Sequence, residues 1–291
     1  MPMNITLITN RPIDFLQAEF THRFGYSVGL HLWQAGGINF FRCFIEGGRE
    51  KPSPKEIARF QKEVAEIVAA FIVQRWEASI LEALVLSEYE GLEEEEVADI
   101  CQRAQAILDQ GENSFSVAPQ RRQEAVCARL EEYFQDNNSL NIEGFVRFRL
   151  QDYLLELEQA LEEAIDEYLM EKEYDEFVRL LRYFVEAQEA RLEKVHVILS
   201  PGGGFQLYDS DNHNLSGEYL DGFTVDMAET ELNYEDLLIS ALITLSPRQV
   251  IMHAADKGRY NNTVSILKSV FGERLIQCGG CSHCLKPLQK R

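Results

Sequence analysis

The chain has 291 residues, 45% of them hydrophobic and 26% charged, with a formal net charge of −20 at neutral pH. Its length admits one large domain or two ordinary ones, and its composition is that of a soluble globular protein, not a disordered or fibrous one. Such acidity argues against indiscriminate binding of nucleic acid or anionic lipid, and the longest apolar stretch, Leu237 to Leu245, is far short of the roughly 20 residues a bilayer span needs.

The opening "MPMNITLITNRPIDF" lacks a basic stretch followed by a long apolar run, so no secretory signal is expected. The expected location is cytoplasmic, without membrane association, where thiols stay reduced. Alternating or β-rich apolar residues in "NITLIT", "YSVGLHLW" and "INFFRCFIE" predict three strands, with Gly36-Gly37 as the hairpin turn between the last two. "IDFLQAEFTHRF" between the first two predicts a short helix. Residues 1–50 thus form a small β-rich unit.

A helical region is expected over 53–192. In "SPKE", Ser53 is placed to cap, Pro54 to occupy the first helical position and Glu56 to close a capping box. Apolar residues at helical spacing from Ile57 onward predict one long helix from Pro54 to about Tyr89. A second helix follows in "LEEEEVADICQRAQAILDQG" and a third begins at Pro119, before "DNNSLN" breaks the pattern. Beyond the break, two apolar stripes, Phe145 to Leu169 and Phe177 to Phe184, predict two helices meeting near Glu171–Glu173. The acids of this region are expected to coat the exposed faces of a bundle.

Residues 194–291 read as an α/β unit. "VHVIL" and "FQLYD" are strands around a turn at Gly202–Gly204, and a helix capped by Asn233 follows. "RQVIMHA", "NNTVSILKSVFG" and "ERLIQC" then form strand, helix and strand. That spacing makes a βαβ unit, with Val250–Ile251 and Leu275–Ile276 as parallel neighbours. The expected class is α+β, mainly α, with the N-terminal strands as candidates to share the C-terminal sheet. Charge divides along the same lines: residues 1–50 balance, 247–291 carry a net of +6, and 51–246 therefore carry −26. Docking of the basic end on the acidic middle is the plain explanation of that asymmetry.

The stretches "EGFVRFRLQDY", "MEKEYDEFVRLLRYFV" and "VHVIL", with the closing "CGGCSHC", resemble the YtxC-like family of spore-forming Firmicutes, over most of Ile142–Cys284. The resemblance implies a sporulation protein in the cytoplasm of such a bacterium. It implies no particular biochemical activity.

The chemistry concentrates at the end of the chain. Cys278, Cys281 and Cys284 follow the C-x-x-C-x-x-C spacing of a zinc knuckle or iron–sulfur loop, in a chain with six cysteines in all. A fourth ligand is needed. His253, at the end of the strand beside "LIQC", is the first choice, and His283 and Cys43 are alternatives. Zinc is the leading metal and an iron–sulfur cluster the lesser one. A redox-active Cys278–Cys281 dithiol and an inert glycine-rich tail are the competing readings.

The loop before the helix at Asn262 offers Lys257, Arg259 and Asn262 as an anion site, for a phosphate-bearing ligand or a nucleic-acid backbone, although no glycine-rich fingerprint accompanies it and an ordinary polar loop is the preferred explanation. Asp209, Asp211 and His213 alternate in a turn, but the remainder of a calcium loop is missing. There is no nucleophile elbow, H-E-x-x-H or Walker sequence, which favours a binding or scaffold role with a protein partner over catalysis. The alternatives are a thiol redox enzyme, an enzyme acting on phosphate esters, and nucleic-acid binding by the basic end.

Overall fold

The computed structural model describes residues 4–25, 28–45, 52–110, 119–199, 205–215, 234–253, 260–281 and 284. The turn at Gly202–Gly204, the cap at Asn233, and Lys257, Arg259 and His283 lie outside them. The protein is α+β and mainly α, and it divides into two compact units, Met1–Leu169 and Met170–Arg291. Among the described residues, no helix is long and apolar enough to cross a membrane.

In the first unit, β1 (Asn4–Thr9), β2 (Val28–Ala35) and β3 (Ile38–Ile45) form the expected hairpin and its neighbour, with Gly36 and Gly37 at φ of 60° and 79° in the turn. The sheet order is β2-β3-β1-β4, where β4 is Ser139–Asn141 and runs parallel to β1. The expectation that the N-terminal strands share the C-terminal sheet is therefore corrected: the described strands form two separate sheets. The partner for β1 comes from within "DNNSLN", because Leu140 sits opposite Leu7 and is 1% exposed. A buried leucine at that register holds a strand of only three residues in place.

Helix α1 (Asp14–Phe24) follows β1 and buries Leu16 and Phe20. The predicted Ser53 capping box forms at the start of α2 (Pro54–Phe71), with Ser53 accepting from the Glu56 amide and Glu56 accepting from the Ser53 amide. The predicted long helix is continuous in trace but contains a π-turn, Ile72–Trp76, before α3 (Glu77–Glu88). Next come α4 (Glu94–Gln110), α5 (Pro119–Asp136) and α6 (Ile142–Arg149). Strands and helices share one core that includes Phe20, Phe41, Leu81, Phe134 and Leu161. Each such side chain, fully buried, contributes about 1.5–3 kcal/mol.

One buried ion pair interrupts this core. Arg122 and Glu77 are both 2% exposed, and the guanidinium gives Nε–H···Oε2 and Nη2–H···Oε1 bonds of 3.1 and 2.8 Å. Tyr153 and Gln105 also donate to Glu77, while Arg122 reaches the Leu108 carbonyl and Asp109. Burial opposes the charge on Arg122, but its bonds to Glu77 and Asp109 outweigh that and raise its pKa. Burial, then the Glu77 carboxylate, pushes the Tyr153 phenol well up.

Helix α7 is a single element, Gln151–Ala187, where two helices were expected. The stretch around Glu171–Glu173 holds no glycine or proline and consists largely of strong helix formers, so nothing ends the helix there. The shift between its apolar stripes has another cause: Leu157, Leu161 and Ile165 belong to the first core, and Val178, Leu181 and Val185 to the second. Phe177, Leu180 and Phe184 are consequently exposed, each by more than half.

The second unit contains β5 (Leu192–Leu199), β6 (Phe205–Tyr208), α8 (Tyr234–Leu245), β7 (Pro247–His253), α9 (Asn261–Phe271) and β8 (Leu275–Gln277). Its sheet order is β6-β5-β7-β8. The predicted parallel pairing of β7 and β8 is present, with Val250 opposite Leu275 and Ile251 opposite Ile276. Val195, Val197, Val250 and Met252 line the core face.

The buried network yields a stability prediction. Arg122→Ala leaves the Glu77 carboxylate buried without its cation, and should destabilise the first unit by about 3–5 kcal/mol. Arg129→Ala, at an exposed pair with Asp152, should cost less than about 1 kcal/mol. Both tryptophans, Trp33 and Trp76, lie in the first unit, so urea unfolding followed by their fluorescence reads it directly. Equal losses in the two variants would overturn the contrast.

Candidate metal centre

Parallel pairing builds the site. β7 ends at His253, and β8 continues the ladder one residue further through the Cys278 amide, which donates to the Met252 carbonyl at 2.9 Å. Extending the register of Met252 with Gln277 sets Cys278 opposite His253. Both residues thus leave the carboxyl edge of the sheet on the same face, which is the edge where parallel sheets gather ligands.

The chain then folds back. Gly280 has a φ of 128°, open to glycine and strained for other residues, and its amide donates to Cys278 Sγ at 3.5 Å. The Cys284 amide donates to the Cys281 carbonyl at 3.1 Å, closing the next turn. These two bends carry Cys281 and Cys284 back over His253.

The donor atoms of His253, Cys278, Cys281 and Cys284 all lie within 4.8 Å of one another. His253 Nδ1 is 3.3 Å from Cys281 Sγ and 3.5 Å from Cys284 Sγ, and those two sulfurs are 3.9 Å apart. Bonds of about 2.3 Å to sulfur and 2.0–2.1 Å to nitrogen give a tetrahedron with edges of roughly 3.8 Å between sulfurs and 3.5 Å from sulfur to nitrogen. The three edges among His253, Cys281 and Cys284 match one face of such a tetrahedron, and Cys278 lies within 4.8 Å of all three. A cluster spreads its cysteines over several irons and needs a wider set.

His253 is 2% exposed, and its Nε2 lies 2.9 Å from His196 Nδ1. His196 opposes Ile251 on β5, and Ile198 opposes His253, so the two histidines are diagonal neighbours on one face. With Nδ1 on a metal, the His253 Nε2–H donates to His196, an arrangement that fixes the tautomer and the ring orientation of a metal-bound histidine. Cys284 shows what the cluster does without a cation. Desolvation comes first, and hydrogen bonds with the neighbouring thiols add to it, holding the thiol above its ordinary range. A divalent cation inverts that balance.

The structure thus brings together the four residues read from sequence as a metal set. Cys43, an alternative fourth ligand, is instead buried in the core of the first unit, where its Sγ faces the Ile5 carbonyl at 3.4 Å. His196 was missed, although a histidine inside "VHVIL" on the face opposite the valines marks it. Of the anion-site residues, Asn262 lies on α9 and directs Nδ2 toward Glu235 at 3.5 Å, while Thr263 donates to the same buried carboxylate at 2.5 Å. Helix α9 has no side-chain cap: its N-cap residue is Tyr260. Asp209 accepts the amides of Asp211 and His213 and closes a polar turn.

The chain belongs to the YtxC-like family, whose model matches residues 62–276. It is similar to the Uncharacterized protein YtxC of Bacillus subtilis (strain 168), with 27% identity over 235 residues that cover 78% of this chain and 80% of that protein. No solved structure matches it. The family span includes His196 and His253 and ends just before Cys278.

The thiols should separate by reactivity. Burial pushes Cys43 up to about 12, and it stays protonated and enclosed in the fold. Thiolate is the reacting form. In chelator-treated folded protein at pH near 8, a disulfide reagent should therefore label the partly exposed Cys278 and Cys281, label Cys284 more slowly, and spare Cys43 until denaturant is added. Peptide mapping checks this, and early labelling of Cys43 would contradict it.

Proposed function

We propose that this member of the YtxC-like family is a non-enzymatic zinc-binding protein of the cytoplasm, acting in the sporulating cell as a binding or scaffold module. The observation that carries the metal reading is the donor geometry: His253 Nδ1 and the Cys281 and Cys284 sulfurs stand at the edge lengths of a zinc tetrahedron, and Cys278 Sγ lies within 4.8 Å of all three. Cys278, Cys281, Cys284 and His253 would hold the ion. Four protein ligands fill the tetrahedron and leave no place for the water or substrate that a catalytic zinc keeps.

What the ion would supply is a cross-link. It would tie the short β8 and the loop after it to the end of β7, and compensate three sulfurs that cannot all ionise side by side. The sporulation role rests on the family alone. A protein partner is the corresponding proposal for a module without chemistry of its own. The anion-site proposal keeps Lys257 and Arg259, and Glu235 beside Asn262 sets a negative charge against it.

Three measurements test the metal. Elemental analysis of purified protein should give close to one zinc per chain; under a tenth of an equivalent, with iron equally low, would sink the proposal. Cys281→Ser should lose the metal and melt earlier, whereas a redox dithiol would lose thiol exchange and keep its melting point. His196→Ala should weaken cobalt or zinc binding by about 10–100-fold while keeping the cobalt absorption bands of a three-sulfur, one-nitrogen site. His196→Asn, which sets an amide oxygen near the Nδ1 position, should recover most of that loss.

A further inference from the structure

The metal site lies wholly in the second unit and leaves one irregular feature of the first without a role. The π-turn Ile72–Trp76 inserts an extra residue into an otherwise regular helical run. Such turns are rare and concentrate at functional sites, because they redirect side chains that a regular helix would not present together. Here the turn directs Arg75 and Trp76 toward the first turns of α1.

Between them lies an open cleft of about 760 Å³, lined by Arg11, Asp14, Phe15, Glu19, Arg75 and Trp76 among others. Sites for small molecules span roughly 300–1,000 Å³. The guanidinium of Arg11 lies 5.2 Å from the Trp76 ring centre, and that of Arg75 lies 5.2 Å from the Phe15 ring centre. Stacking in this way orders an arginine without using its N–H groups. Among the described residues, neither guanidinium makes a hydrogen bond or ion pair, although Asp14 and Glu19 line the same cleft. In a chain with 48 acids against 28 lysines and arginines, two arginines lining one cleft without a carboxylate partner are the reverse of what surplus acid produces.

One further feature points the same way. Helix α1 begins at the carboxyl end of β1, and its N-cap residue, Ile13, supplies no side-chain cap. The cleft therefore combines two ordered guanidiniums and an uncapped helix N-terminus with aromatic walls from Phe15, Phe71 and Trp76. Asp14 and Glu19 disfavour a polyanion and offer acceptors for a ligand hydroxyl or amine.

We propose that this cleft binds a small molecule that joins a single oxyanion, phosphate or carboxylate, to a planar apolar body. The oxyanion would take the free N–H edges of Arg11 and Arg75, and the planar body would lie along the aromatic wall. The site is independent of the zinc reading and shares no residue with it.

Trp33→Phe leaves Trp76 as the single tryptophan and gives a direct reporter. Titration of the full chain with phenyl phosphate and with benzoate should give a saturable change in Trp76 fluorescence, and the tighter of the two identifies the oxyanion. Arg11→Gln and Arg75→Gln, each in that background, should weaken binding about tenfold or more, the loss of one charge-assisted contact. Arg75→Lys, which keeps the charge and loses the planar stack, should weaken it less. Unchanged urea midpoints would show that the variants are folded. The proposal is overturned if neither probe gives a saturable response at millimolar concentration, or if both Arg→Gln variants bind as the parent does. Inorganic phosphate binding as tightly as phenyl phosphate would overturn the planar body.

Discussion

The geometry of the candidate metal site depends on a hydrogen bond just beyond the end of a strand, from the Cys278 amide to the Met252 carbonyl. β8 itself is three residues long, and Ile276 within it is 41% exposed. Strand propensity alone would not hold so short an edge. The bond extends the ladder by one residue and thereby fixes the phase of everything after it. A slip of one position would send Cys278 to the opposite face, toward the valines of the core, and would separate it from His253.

The two units meet the difficulty of enclosed polar groups in different ways. In the first, Glu77 receives Arg122, Tyr153 and Gln105, and the charge is balanced by a permanent cation on a neighbouring helix. Nothing further is needed for that network to persist. In the second, His253 and three thiols face one another and none of them is a fixed cation. Such a set is comfortable only when its thiols stay protonated or when a cation arrives. The Glu77 network is thus complete as folded, while the His253 set is one that a cation would complete.

Much of this was legible in the sequence, for reasons that differ by element. The βαβ spacing determines that β7 and β8 are parallel neighbours, and parallel neighbours end at the same edge, so His253 could be set beside Cys278 before any coordinates. The same reasoning could not reach His196. Its position depends on β5 lying beside β7, and the chain between them passes through β6 and α8, with no short connection to dictate the order. The Arg122–Glu77 pair was hidden for a similar reason: the partners lie 45 residues apart, and each reads as one more charge on an amphipathic helix. The π-turn was hidden because one inserted residue barely disturbs apolar spacing over a run as long as 54–88. Residue chemistry misled at α7, where a change in stripe was read as a change of helix. One helix serving two cores in succession produces the same pattern.

The placement of the cysteines at a sheet edge also bears on what the proposed ion would do. A catalytic metal needs an open coordination position and an approach for substrate, and its protein ligands usually number three. Here Cys281 and Cys284 Sγ lie 3.3 and 3.5 Å from the imidazole Nδ1, and His253 is almost wholly buried. The fourth corner is taken from a strand and the other three from the segment that follows its neighbour. An ion so placed would link two strands that share only a few ladder positions, and its main consequence would be mechanical. Without it, the segment after β8 is held by the Cys278 amide bond to Met252 and the bend at Gly280. With it, the same residues would be anchored to β7 through four coordinate bonds, and whatever surface the end of the chain presents would acquire a fixed shape.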